Sequence, residues 1–111
     1  MYKGFGGGNM QSLMAQAQRM QRQMQEKMEK AEEELNNAEI GGTAGGGMVS
    51  VVVDGHKNVR SISIKPEAVD PEDVEMLEDM IVAALNEANA KADELSESLK
   101  GDGLGGLGGL F

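Results

Sequence analysis

With 111 residues the chain has room for one domain, and two Phe, one Tyr and no Trp leave that domain a thin core of Met, Ala, Val, Leu and Ile. The lack of Cys excludes disulfides, thiolate metal sites and a cysteine nucleophile, and it fits a reducing cytosol. The net charge of -9 excludes a uniformly basic surface but not a local one: residues 67–111 hold twelve acids against Lys91 and Lys100, whereas residues 1–25 hold Lys3, Arg19 and Arg22 and no acid.

Residues 1–9 read as a flexible Gly-rich arm, and no apolar run there suggests a secretory signal. Asn9 is a candidate cap for a helix from about Met10 to Asn37, a stretch of Gln, Met, Ala, Glu and Lys with no internal Gly or Pro. Met10, Ala17, Met24, Ala31 and Ala38 recur every seven residues, and a second row through Leu13, Met14, Met20, Met28 and Leu35 drifts as a straight helix requires. The run Gly41 to Gly47 breaks this helix and reads as a linker. It precedes a strand, the wrong order for a phosphate-cradling loop.

Met48–Val53 and Val59–Ile64 are β-branched strands, with Ser61 and Ser63 marking a wetter face of the second. Asp54-Gly55-His56-Lys57-Asn58 joins them as a hairpin loop, and Ala38–Thr43 is a candidate third, edge strand. Pro66 ends the sheet. Asp70 as cap, Pro71 as first helical residue and acids in the first turn predict a second long helix from Pro71 to about Leu99. Its apolar stripe runs from Val74 through Leu77, Ile81, Leu85 and Ala88 to Leu99. Residues 10–102 form the single domain, and residues 103–111 read as a disordered Gly/Leu-rich tail. The longest apolar run, Met80 to Leu85, is far short of a membrane span, so a soluble protein is expected.

The fold class is therefore α+β: a long N-terminal helix, a small antiparallel sheet of two to three strands, and a long C-terminal helix. Helices of about 28 residues reach about 42 Å, whereas a six-residue strand spans roughly 20 Å. The helices overhang the sheet with their apolar rows still running, which a homodimer would cover; a monomeric helix hairpin is the alternative.

No catalytic constellation is present, so a non-enzyme without cofactor, metal or small-molecule substrate is expected. The single His56 sits in a turn without partner ligands, and Glu32-Glu33-Glu34 lacks the spacing of a calcium loop. Arg19 and Arg22 lie on the side of the first helix away from the apolar stripe, among Gln residues and with no carboxylate before Glu26. Such a face suits phosphate contact, although Arg22–Glu26 and Glu26–Lys30 are also ordinary i,i+4 ion pairs.

Leu13 to Gln21, Gly45 to Gly55, Val59 to Ile64 and Asp73 to Leu85 together resemble, in the same order, the YbaB/EbfC family of bacterial nucleoid-associated proteins. The resemblance covers about residues 9–99. It implies a tweezer-like homodimer whose long helices project as arms and hold double-stranded DNA in the cytoplasmic nucleoid, with consequences for chromosome organisation or gene regulation. It also implies DNA contact at basic positions of the first and last helices. Arg19 and Arg22 match the first set. In the second set Lys91 stands alone between Ala90 and Ala92, where relatives often carry consecutive basic residues. Lys3 on the arm would assist. The rival reading is a protein-interaction adaptor, for example for a DNA-repair or replication factor, which the acidic last helix favours.

Overall fold

A computed structural model describes the backbone of residues 2–108 and the side chains of residues 9–101. The order is helix α1 (Tyr2–Asn37), strands β1 (Ile40–Ala44), β2 (Val49–Val53) and β3 (Val59–Ile64), a single 3-10 turn (Pro66–Ala68), and helix α2 (Val74–Gly108). The strands form one antiparallel sheet in the order β1-β2-β3. The α+β class and its three elements are as the sequence leads one to expect, and the third strand is formed.

The element limits differ in four places. Helical backbone extends over residues 2–9, read from sequence as an arm, and on to Gly108, into the segment read as a tail. Both extensions prolong a long helix outward, where each further residue adds one hydrogen bond without a new nucleus. The run Gly41 to Gly47 is no linker: its first four residues pair with β2 and only Gly45 to Gly47, all at positive φ, make the turn. Helix α2 starts at Val74, because Asp70 is spent on a turn. The Asp70 carboxylate accepts from the Glu72 N–H at 2.9 Å, and its carbonyl accepts from the Asp73 N–H. Asp73 is the cap, accepting from the Met76 N–H at 3.2 Å.

The core lies between one face of the sheet and α2. Val49, Val51 and Val53 point to that face and are fully buried, as are Ala84, Ala88 and Ala92 on the facing side of α2. The packing is close because the residues are small. A Cβ on Gly42 would lie 2.5 Å from the Ala88 nitrogen and collide with the Ala84 carbonyl, so α2 rests on the bare backbone of β1.

Helix α2 sits over β1 and β2 and leaves β3 bare. Ile64 is opposite Val49 and Ile62 opposite Val51, so both share the core face, yet they are 37% and 49% exposed. Val82 on α2 is also exposed. Its flank, with Leu85 and Asn89, is opposite the flank whose Met80 and Lys91 meet β1. The Asn89 side-chain oxygen on this flank is buried without a hydrogen-bond partner.

Candidate nucleic-acid interface

The hairpin after β2 sets the direction of α1. Asp54 is 1% exposed, and its carboxylate organises the loop. Oδ1 accepts from the His56 N–H at 2.8 Å and the Asn58 N–H at 2.9 Å. Oδ2 accepts from Asn58 Nδ2 at 3.1 Å and Arg60 Nη2 at 3.0 Å. The backbone N–H of Asn58, above all, holds the Asp54 carboxyl below its ordinary pKa. The Asn58 side chain, the His56 N–H and the Arg60 charge add to this and together outweigh burial. Lys57 completes the turn at a left-handed φ of 69°.

A register shift between Val52 and Val53 leaves Arg60 outside the ladder, which frees its side chain to turn toward α1. Arg60 donates to the Asn36 carbonyl at 3.0 Å while the Gly55 N–H donates to the Leu35 carbonyl at 2.7 Å. These are carbonyls that a helix C-terminus leaves unpaired, and the guanidinium also meets the negative end of the helix dipole. A Cβ on Gly55 would stand 2.7 Å from the Leu35 Cα, so only glycine lets the hairpin dock this closely. Two exposed side-chain contacts flank the joint: His56 Nε2 to Glu32 of α1 at 2.9 Å, and the ion pair of Lys57 with Asp93 of α2 at 3.0 Å. Sequence reading recognised the Asp54-Gly55 turn but missed this joint, and it left His56 without the Glu32 partner that α1 brings to it. Among the described residues no cluster of three or more His, Asp or Glu is placed to hold a metal ion. No described helix is long and apolar enough to cross a membrane.

From that joint α1 projects as an arm, and about 22 Å of helix separate Arg22 from Asn37. Arg19 and Arg22 are exposed on the arm, on the side opposite Ala17 and Met24. Among the described residues neither takes part in an ion pair, and the possible Arg22–Glu26 and Glu26–Lys30 pairs are not formed. The back of the arm is therefore cationic over its outer part and turns anionic from Glu26 inward.

The other two expected residues are not gathered there. Lys91 stands over the sheet, its Nζ 3.1 Å from Glu87 and 3.3 Å from the Gly41 carbonyl, far from both arginines. The Lys3 side chain lies outside the described residues.

Comparison with known proteins agrees with this architecture. A protein of Helicobacter pylori described as uncharacterized protein HP0035 superposes with a TM-score of 0.69 over 81% of this chain and 95% of its own, at 24% identity, which shows a shared fold. A nucleoid-associated protein of Ruminiclostridium cellulolyticum is 53% identical over 104 residues, covering 94% of this chain and 87% of its own length. One from Chloroflexus aurantiacus is 50% identical over 103 residues, covering 93% and 99%. The profile described as the YbaB/EbfC DNA-binding family matches residues 6–107, nearly the whole chain. A long helix, three strands and a second long helix, matched over nearly the whole chain by that profile and by relatives at half identity, make this chain a member of the YbaB/EbfC DNA-binding family.

Proposed function

We propose that the protein binds double-stranded DNA as a homodimer in the cytoplasmic nucleoid, gripping the phosphate backbone with little regard to sequence and so organising the chromosome or tuning gene expression. The observation that carries this reading is the pair Arg19 and Arg22: exposed, without acidic partners among the described residues, on the outer face of a projecting helix. Guanidinium groups free of carboxylates are available to phosphates, and neighbouring Gln side chains supply adaptable hydrogen bonds. Lys3 on the same acid-free stretch assists. Lys91 contributes less, because Glu87 already neutralises it.

The second copy accounts for the bare β3 face. Ile62, Ile64 and Val82 present apolar surface where α2 does not reach, and a self-complementary contact there would cover them and bring a donor near Asn89. Two arms per assembly would then engage one duplex, with an effective concentration far above that of separate binding events.

Fluorescence anisotropy with a labelled duplex, repeated across salt concentrations, tests the grip. Affinity should fall with salt at about 0.9 log units per phosphate neutralised, and Arg19→Ala with Arg22→Ala removes four charges per dimer, flattening the slope by up to about 3.6. An unchanged slope would remove these arginines from the interface.

A second reading rests on the hollow beside the β1–β2 turn, where Asp73, Glu75 and Asp79 surround Met76 and Met80. Acids around methionines suit a basic, apolar segment of a protein partner. Retention of a lysate protein by wild type but not by Asp79→Lys, with no duplex binding at near-physiological salt, would favour it.

A further inference from the structure

The apolar stripe of α1 is symmetric about its own middle. Leu13 and Leu35, Ala17 and Ala31, and Met20 and Met28 lie at equal distances on either side of Met24. At about 100° per residue all of them fall within about 40° of Met24 around the helix, so they form one straight seam. Much of it is wet: Leu13 and Met20 are each 63% exposed and Met28 is 57% exposed. Its inner end is partly covered, where Ala31 and Leu35 are half-buried and line an open groove with Ser96 and Leu99 of α2. An apolar seam this long left in water calls for an occupant.

The symmetry names one. A helix with the same apolar pattern in both directions fits a second copy of itself running the opposite way, because a two-fold rotation about Met24 brings every apolar position of the seam onto an apolar position. Charge chooses the same orientation. Residues 10–23 carry Arg19 and Arg22 and no acid, whereas residues 25–37 carry five acids against Lys27 and Lys30. Antiparallel arms set the cationic half of each beside the anionic half of the other, and parallel arms would set like beside like. The outer half of one arm then meets the groove at the inner end of the other. Leu13 of the second copy reaches Leu35, and Ala17 of the second copy reaches Ala31, at the mouth between α1 and α2.

We propose that the α1 arms of two copies pair antiparallel through this seam, with Met24 against Met24 on the two-fold axis and Met20 against Met28. The two Asn37 ends are then about 39 Å apart, so the two sheets lie at opposite ends of the pair and their β3 edges do not meet. The arm contact is therefore separate from a contact at β3, and the two together join dimers to one another. Arg19 and Arg22 lie about 140–160° from Met24 around the helix and stay outside, one cationic face on either side of the pair. The contact neither uses these arginines nor requires the DNA-binding reading. Its layers are alanine and flexible methionine, so it is weaker than a packed core, and a covalent trap suits it better than a mass measurement.

Because the chain lacks Cys, engineered cysteines in the full chain read the contact. Under mild oxidation without DNA, Met24→Cys should give a disulfide-linked product of twice the chain mass on a non-reducing gel, and Arg22→Cys, on the back of the arm, should not. Met20→Cys and Met28→Cys should each link poorly alone, because two copies of either position stand about 12 Å apart along the seam, beyond the reach of a disulfide. An equal mixture of these two variants pairs the positions that face each other and should link roughly tenfold faster than either alone. Absence of a linked product from Met24→Cys overturns the proposal. So does equal linking of Met20→Cys alone and in the mixture, which would mean parallel arms or random encounter. Neither outcome involves DNA, so failure here is distinct from a failure of the DNA-binding reading.

Discussion

At the scale of single residues, Asp54 is the one buried charged side chain among the described residues. It is charged and almost wholly enclosed, a placement that costs free energy unless every oxygen is satisfied, and four donors satisfy it. Its pKa is lowered on folding, so it contributes stability that is present above its ordinary value of 3.8 and is lost as pH falls through that range toward the folded value. Asp54→Asn should therefore lower the melting temperature at neutral pH and flatten the acid limb of stability below about pH 4, as thermal unfolding across a pH series would show. A variant that loses stability equally at pH 7 and pH 3 would mean that the carboxylate charge is not what holds the loop.

At the scale of elements, backbone proximity matters more than ion pairs. The hairpin meets α1 through the Gly55 N–H and α2 meets β1 over Gly42, and in both places a methyl group has nowhere to go. Gly42→Ala should cost about 1–3 kcal/mol in a urea titration by pushing α2 off the sheet. Gly55→Ala should cost a similar amount, about 1–3 kcal/mol, and turn the arm out of line. His56→Ala removes only an exposed pair with Glu32, worth about 0–1 kcal/mol. If His56→Ala were the most damaging of the three, the arm would be held by charge and the packing argument would fail.

At the scale of the whole molecule, the chain is long and thin, 87 × 23 × 16 Å with a radius of gyration of 23.3 Å. A compact chain of this length would have a radius of about 13 Å. A monomer of this shape keeps much apolar surface wet, and the bare edge at Ile62 and Ile64 is the part nearest the existing core. On the proposed homodimer through this edge, Ile62→Asp should leave the α2–sheet core folded yet halve the mass measured by light scattering, and on the proposed DNA grip it should weaken duplex binding by removing the second arm. A dimer that survives this change would place its interface elsewhere.

The amino-acid order alone determined the elements that depend on local periodicity: two long helices, two β-branched strands with an Asp-Gly turn, and the acid-free stretch around Arg19 and Arg22. Its account of the helix ends was less secure, because Asp70 and Asp73 are both plausible caps and only the fold of the preceding turn chooses between them. The glycine run read as a linker for the same reason: Gly42 gains its meaning only when Ala84 and Ala88 are brought against it from more than forty residues away. The joint of Asp54, Gly55 and Arg60 with the end of α1, the distance of Lys91 from the arginines and the bare face of β3 were likewise decided by tertiary structure. Periodicity tells which side of an element is apolar, whereas what that side meets depends on contacts between residues far apart in the chain.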